Sequence, residues 1–470
     1  MNKPSLNEAR KRNKNNVKYI EADILKDKSL FNNKKYFIKT YGCQMNEHDS
    51  ELISNLVENV GFTRTDSIEG ADLVILNTCA IRENAHDKVF GFLGRCKHEK
   101  EKNNPDMIVA LAGCMAQEPI VVEEVLSKHK YIDLVFGTHN IHELPNYLMN
   151  LVGKTRVEVS SIEGDVVEGL DYTRDSNISA WVNIMYGCDK FCTYCIVPYT
   201  RGMQRSRKSS EILKEIMSLK EKGYKEITLL GQNVNAYGKD LDDEISFAFL
   251  LEESAKTGIE RIRFVTSHPW DFTDEMIDVI KSYDNIMPYI HLPLQSGSTK
   301  ILKLMGRRYT KEDYLKLFNK IRTNIEGVSI TTDIIVGFPG ETEKDFEETL
   351  DVVKKCKFDG AFTFIYSKRD GTPAAKMPDD VTEETKKERL YKLNSLINKY
   401  SLESNKKSLN RIEKVLITGK SSKGDNLYFG YTENYKAVNV LSKHDIIGKI
   451  VEVKILDAKS FNLNGEIIDD

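Results

Sequence analysis

The chain has 470 residues, enough for roughly three domains at about 150 residues each, which excludes a single small module. Its 68 lysines and arginines against 71 aspartates and glutamates leave a net charge of −3, so no bulk basic field advertises a nucleic acid and any such partner must be held by local patches. A hydrophobic fraction of 40% with 30% charged residues excludes a disordered or fibrous chain, and the longest apolar run, Met107 to Ala116, is too short to cross a membrane. Residues 1–33 are polar and basic and read as a flexible tail. Nothing in them resembles a secretory leader, so a cytoplasmic protein is expected. From 34 to 152 the runs YFIKT, DLVIL, MIVAL and IDLVF alternate with helical patterns, the first helix from about Glu47 to Val60. That alternation predicts an open parallel α/β sheet. Residues 153–173, with Gly153, Gly164 and Gly169, read as a linker.

From 174 to 404 a second alternating series places strands near 182–185, 226–230, 261–265, 288–292, 330–336 and 361–366, which suits a partial (βα)6 barrel. Thr310 with Asp313 and Thr342 with Asp345 have the capping-box spacing, and Thr273 precedes Asp274 and Glu275. A long helix is predicted from about Thr382 to Leu402. Residues 407–470 change to period two in KVLITGK, LYFGYT, AVNVL and KIVEVKIL, the pattern of a small all-β OB-like barrel.

A reducing cytoplasm leaves ligation, catalysis or burial as the roles for the eight cysteines. Cys188, Cys192 and Cys195 form a C-x3-C-x2-C loop directly after the first barrel strand. Three thiolates are one short of a full complement: a zinc site would need a fourth donor such as His268 or His291, whereas a three-cysteine 4Fe-4S cluster leaves one iron open. Cys43, Cys79 and Cys114 end YFIKTYGC, DLVILNTC and MIVALAGC, 36 and 35 residues apart, about one βα unit each. Neighbouring parallel strands meet at their carboxyl ends, so these thiols should face one another across the crevice. The bland alternative is three buried small hydrophobes. Cys96 and Cys356 have no partner pattern and read as structural, although Cys96 is able to approach the first set.

The C-x3-C-x2-C loop resembles the signature of the radical S-adenosylmethionine superfamily. Together with the second cysteine set and the terminal β-barrel, the chain from about 34 to 470 resembles the methylthiotransferases. The stretches YGCQMNEHDSE, NTCAIRENA, FCTYCIVPYTRG, LLGQNVNAYG, HLPLQSGS and DIIVGFPGET are similar to the branch that acts on N(6)-dimethylallyladenosine in tRNA. Gln44 and Met45 are the local discriminator from the branches acting on threonylcarbamoyladenosine or on a ribosomal protein. The resemblance implies two 4Fe-4S clusters, one on Cys43, Cys79 and Cys114 and one on Cys188, Cys192 and Cys195, the latter binding S-adenosylmethionine as the source of a 5'-deoxyadenosyl radical. It also implies methylthiolation of carbon 2 of adenosine 37 in the anticodon loop, with a second S-adenosylmethionine supplying the methyl group. The sulfur donor stays open.

The cofactor contacts it implies are Gln232, Asn233, Gln295, Ser296, Gly337, Gly340 and Glu341, for each of which loop capping is the alternative. With no flavin or dinucleotide motif, electrons are expected from an external donor such as flavodoxin. Two charge-rich stretches are candidate RNA patches: residues 196–225, including Arg201, Arg205 and Arg207, and residues 386–414. The terminal barrel resembles the tRNA-binding TRAM domain, with Tyr428, Phe429, Tyr431 and Tyr435 as candidate base-stacking residues. The competing class is a non-catalytic iron-sulfur RNA-binding protein, expected to close its clusters with four protein ligands and to need no barrel behind them.

Overall fold

The computed structural model describes residues 17–80, 83–151, 155–159, 165–242, 245–422, 424 and 426–468. Toward the amino end a six-stranded parallel sheet runs in the order Thr63–Arg64, Lys35–Thr40, Leu73–Thr78, Ile108–Gly113, Leu134–Phe136 and Arg156–Glu158. Leu73 and Ile75 point into one core with Ile53 and Leu56 of the helix Gln44–Asn59, while Val74 and Leu76 point into the other with Val89 and Leu93. Burial on both faces explains why the central strands read as continuous apolar runs. Cys96 is packed in the second of these cores and Cys356 in the core of the central barrel.

Two segments are more ordered than their sequence predicts. Residues 17–33 are not a flexible tail: Tyr19–Glu21 pairs in parallel with Val166–Glu168, and Phe31 stacks on Phe62 at 4.7 Å. Residues 1–16 lie outside the described residues. The linker stretch contributes Arg156–Glu158 as the sheet's edge strand and Val166–Glu168 as the partner of Tyr19–Glu21. Strands of three residues carry too little periodicity to be read from sequence.

The central region is an open half-barrel of six parallel strands. Ser179–Asn183, Glu226–Leu230 and Arg261–Phe264 form one half, and Tyr289–His291, Ser329–Val336 and Gly360–Ile365 the other, linked by a parallel bridge between Ile262 and Ile286. Both capping boxes form, at Thr310 with Asp313 and Thr342 with Asp345, and the Thr273 hydroxyl accepts from the Met276 N–H. The helix Glu383–Lys406 closes the outer face of the last strand, where Thr363 Oγ1 meets Asn394 Oδ1.

The terminal strands Ile412–Lys420, Leu427–Thr432, Ala437–Leu441, Leu463–Ile467 and Ile450–Ala458 close a barrel in that order. This barrel seats on the amino-terminal end of the half-barrel strands. Arg261 donates to the carbonyls of Tyr431 (2.9 Å) and Lys414 (3.0 Å), and Arg263 to those of Thr432 and Glu433 (2.9 Å each). Three of the four aromatics nominated for base stacking are engaged otherwise. Tyr428 is in the terminal core, and Tyr435 stacks on Tyr431 at 4.7 Å and against Tyr289 of the half-barrel at 4.8 Å. Period-two alternation shows which residues share a face but not which face another domain covers.

Candidate functional site

The pairing of Thr78 with Gly113 sets Cys79 and Cys114 side by side, each one residue past its strand. The chain leaving Lys35–Thr40 turns over the same edge at Gly42, where a Cβ would lie 2.9 Å from Asn46 Cγ and 3.0 Å from Cys79 Cβ, so only glycine fits this approach. Cys43 follows as the N-cap of the helix Gln44–Asn59. Asn46 fastens the arrangement, its amide donating to Thr78 O at 3.0 Å and Asn77 Oδ1 at 3.2 Å while its Oδ1 accepts from Cys43 Sγ at 3.4 Å. Burial, with the Cys79 and Cys43 sulfurs adding to it, pushes the Cys114 thiol up to about 12 against the opposing pull of Arg201.

The second set sits in a loop held by the antiparallel pair Met185–Tyr186 and Arg205–Ser206. Gly187, at φ +67°, enters the loop where a Cβ would be 1.9 Å from Met203 O. Cys188 N–H donates to Gly202 O at 3.1 Å and Cys195 N–H to Cys192 O at 3.0 Å. Burial and the neighbouring Cys192 raise the Cys195 thiol to about 12, and burial with Cys195 raises Cys188 as well. The buried Arg307, just past the helix Thr299–Leu304, supports the loop, donating to Cys192 Sγ at 3.6 Å and Pro293 O at 2.9 Å.

The nominated zinc donors are occupied. His291 meets Thr331 Oγ1 at 3.0 Å and Asp333 Oδ2 at 3.3 Å, and His268 Nδ1 accepts from Trp270 N–H at 3.3 Å. Among the described residues no three of His, Cys, Asp and Glu close around a single ion. A cubane asks for wider spacing, because each thiolate binds a different iron.

A residue that the charge count misread joins the two sites. Arg201, on the loop carrying Cys188, Cys192 and Cys195, is buried, donating through Nε to Cys114 Sγ at 3.3 Å and through Nη2 to Asp49 Oδ2 at 2.7 Å. Arg205 and Arg207 are buried too, the latter paired with Glu168 at 2.9 Å and Glu215 at 2.8 Å. In the second stretch Lys386 is held by Asp379 (2.7 Å) and Glu383 (2.8 Å), and Arg389 by Glu341 (2.9 Å). These five residues therefore leave the RNA patches, while Lys208, Lys214, Lys220 and Lys222 remain exposed. Arg174, which carried no sequence signal, extends the buried network by pairing with Glu51 at 2.8 Å and Glu215 at 2.7 Å. A small pocket beside it is lined by His48, Asp49, His139, Tyr172, Tyr186 and Arg205. We expect Arg201→Met to cost about 3–5 kcal/mol, since it strands the buried Asp49 carboxylate. Adding Asp49→Asn should recover part of that loss in thermal unfolding, a coupling that independent sites would not show.

The polar strand ends divide into two groups. Asn233 donates to Asp271 Oδ2 at 2.7 Å while its buried Oδ1 has no partner among the described residues, and Gln232 stands beside it at the mouth. Gln295 sits at φ +72°, its backbone bonded to Asp333 O and Ile335 N–H. By contrast Ser296 Oγ accepts from Ser298 N–H at 3.2 Å, Glu341 accepts from Gly337 N–H at 2.6 Å, and Gly340 N–H donates to Asp380 Oδ1 at 2.7 Å. Burial lifts the Glu341 carboxyl to about 6 despite Gly337 and Arg389. This second group is tied into turns. Beside the cysteine loop, Lys190 (2.6 Å) and Lys239 (2.6 Å) both reach Asp271, and Trp270, 45% exposed, carries Lys190 at 5.1 Å and Arg308 at 4.8 Å against its ring.

Three family models match the chain: the Radical SAM superfamily over residues 182–353, the Uncharacterized protein family UPF0004 over 35–137 and the TRAM domain over 406–468. In the solved structures, a radical S-adenosylmethionine methyltransferase, TsrM, from Kitasatospora setae aligns with a TM-score of 0.53 at 14% identity, covering 73% of this chain and 75% of that one, a likeness of fold. Among curated proteins, the tRNA-2-methylthio-N(6)-dimethylallyladenosine synthase of Bacillus cytotoxicus is 53% identical, covering 99% of this chain and 92% of its own length. The Anoxybacillus flavithermus protein of the same name is 51% identical over 99% of this chain and 89% of its own. With two three-cysteine sites joined through Arg201 and identity of this extent along nearly its whole length, the chain belongs to the family of tRNA-2-methylthio-N(6)-dimethylallyladenosine synthases.

Proposed function

We propose that this protein is a transferase that methylthiolates carbon 2 of N(6)-dimethylallyladenosine at position 37 of tRNA. The observation that carries the reading is the Arg201 tie: one guanidinium spans the loop of Cys188, Cys192 and Cys195 and the thiol of Cys114, so two separate three-cysteine sites stand against one another. Bound 4Fe-4S clusters would supply, at the barrel loop, reductive cleavage of S-adenosylmethionine and, at the strand ends, an iron position for the sulfur to be transferred. Cys188, Cys192 and Cys195 would hold the first cluster and Cys43, Cys79 and Cys114 the second. Arg307 and Arg201 place N–H donors at the sulfurs of Cys192 and Cys114, the kind of hydrogen bond that tunes thiolate ligands. Asn233 and Gln295 present polar groups at the mouth of the half-barrel for S-adenosylmethionine.

Trp270 with Lys190, Lys239 and Arg308 offers a basic aromatic surface beside the cysteine loop, the chemistry that binds unpaired RNA. The TRAM barrel supports a tRNA partner, and an external donor such as flavodoxin would supply electrons. Among the described residues no helix is long and apolar enough to cross a membrane, and a tRNA substrate supports the reading of a cytoplasmic protein.

Nucleoside analysis of tRNA from a deletion strain tests the substrate. The 2-methylthio derivative of dimethylallyladenosine should vanish while unmethylthiolated dimethylallyladenosine accumulates. Loss of the 2-methylthio group from threonylcarbamoyladenosine instead, with the dimethylallyl nucleoside unchanged, would overturn the assignment.

A further inference from the structure

The last two strands of the half-barrel have faces of opposite character. Along Ser329–Val336 the residues Ile330, Ile334 and Val336 are buried in the core under the helices, while Thr331, Asp333 and Ile335 are only partly covered on the concave side. In Gly360–Ile365, Ala361 and Ile365 pack against that same core and Thr363 meets Asn394 of the outer helix. Phe362 and Phe364 therefore project from the concave face, directly opposite Asp333 and Ile335, and are 58% and 40% exposed. Two phenyl rings open to water inside an enzyme's reaction space are unusual, because apolar rings of this size normally fill a core.

The surroundings of these rings decide what can reach them. Below, the concave face is bounded by Tyr289, whose ring lies tilted against Tyr435 of the terminal barrel. Beside Phe362, the His291 ring packs edge-on at 5.9 Å and is held by Thr331 and Asp333. Above, the same strands run up to the mouth where Gln295 bonds to Asp333 and Ile335. The rings lie on the edge strand of their sheet, where a short apolar group carried on a nucleotide brought to the mouth can reach them.

Accepting the proposed tRNA reading, on which this step rests, we infer that Phe362 and Phe364, with Ile335, form the seat for the dimethylallyl group of adenosine 37. The group is branched and uncharged, and burying it against the rings removes apolar surface from water on both sides. Asp333 gives the seat its selectivity. A threonylcarbamoyl group in the same place would set its own carboxylate beside the Asp333 carboxylate and leave the rings facing polar atoms.

The test uses the reconstituted full chain and anticodon-stem RNA carrying either dimethylallyladenosine or plain adenosine at position 37. Phe362→Ala and Phe364→Ala should each raise KM for the dimethylallyl RNA about tenfold, the scale of a lost apolar pocket contact, and leave the Kd for the plain RNA unchanged. Phe362→Leu should restore most of the loss, and it keeps the question answerable if the alanine variants assemble poorly. Variants with wild-type KM, or with equal weakening toward both RNAs, would overturn the seat while leaving the reaction intact. A wild-type protein inactive on the dimethylallyl RNA would remove the underlying reading and the seat together, a result distinct from either.

Discussion

Cys192→Ala should reduce 5'-deoxyadenosine formation from S-adenosylmethionine and dithionite to background. Cys188→Ala and Cys195→Ala should do the same, because a loop with two thiolates loses the ligand set that leaves one iron open. The local fold should survive the change. The loop is held by Cys188 N–H on Gly202 O and Cys195 N–H on Cys192 O, main-chain bonds that alanine keeps. Arg307 would lose a sulfur acceptor but retain Pro293 O. A thermal midpoint near wild type with cleavage abolished would therefore separate ligation from packing. Retention of wild-type 5'-deoxyadenosine production by any one of the three would remove the radical assignment.

The triple variant Cys43→Ala, Cys79→Ala, Cys114→Ala should behave in the opposite way. Its 5'-deoxyadenosine production should persist while transfer of the methylthio group to tRNA disappears, and iron after anaerobic reconstitution should fall from about eight to about four per chain if each site carries a cubane. The reason is structural: the strand-end cysteines are positioned by the register of the amino-terminal sheet, the barrel cysteines by the hairpin of Met185–Tyr186 with Arg205–Ser206. Arg201, on the barrel loop, loses the Cys114 sulfur in this variant but keeps Asp49 Oδ2, so the barrel scaffold stays anchored. Full iron content with methylthiolating activity in the triple variant would reduce Cys43, Cys79 and Cys114 to core packing.

Legibility in the sequence followed the length scale of the signal. Long periodic runs were readable, and Glu226–Leu230 has the bounds its apolar run predicts. Both capping boxes were visible because a cap is a contact between residues three apart. The strand-end cysteines were readable because parallel strands repeat a register, so a constant spacing near 35 residues becomes a common edge. What failed was anything that depended on which element lies opposite. Arg201 and Arg207 look like part of a basic patch along the chain, yet they are buried against Asp49 and Glu168, which come from segments far away in sequence. Tyr435 looks like a stacking residue until Tyr289 is found against it. Phe362 and Phe364 were read only as strand formers, since the alternation AFTFI does not say which side of the sheet stays open.

The way Arg261 and Arg263 hold the terminal barrel has a consequence for how that barrel can change. All four of their hydrogen bonds across the boundary end on main-chain carbonyl oxygens, of Lys414, Tyr431, Thr432 and Glu433, and the Arg263 guanidinium also lies over the Tyr435 ring at 4.6 Å. Nearby, Lys436 Nζ reaches the carbonyl of Ser404 and Asn405 Nδ2 that of Lys459. Carbonyl groups are present whatever side chain a residue bears. Attachment is therefore specified by the path of the backbone and is largely blind to the residues displayed on the outer wall of the barrel. Substitutions at the exposed Leu441 or Leu456 alter what that wall presents to a partner without removing any of these hydrogen bonds. The docking thus works as a standard coupling, and the display surface is free to be rewritten independently of it.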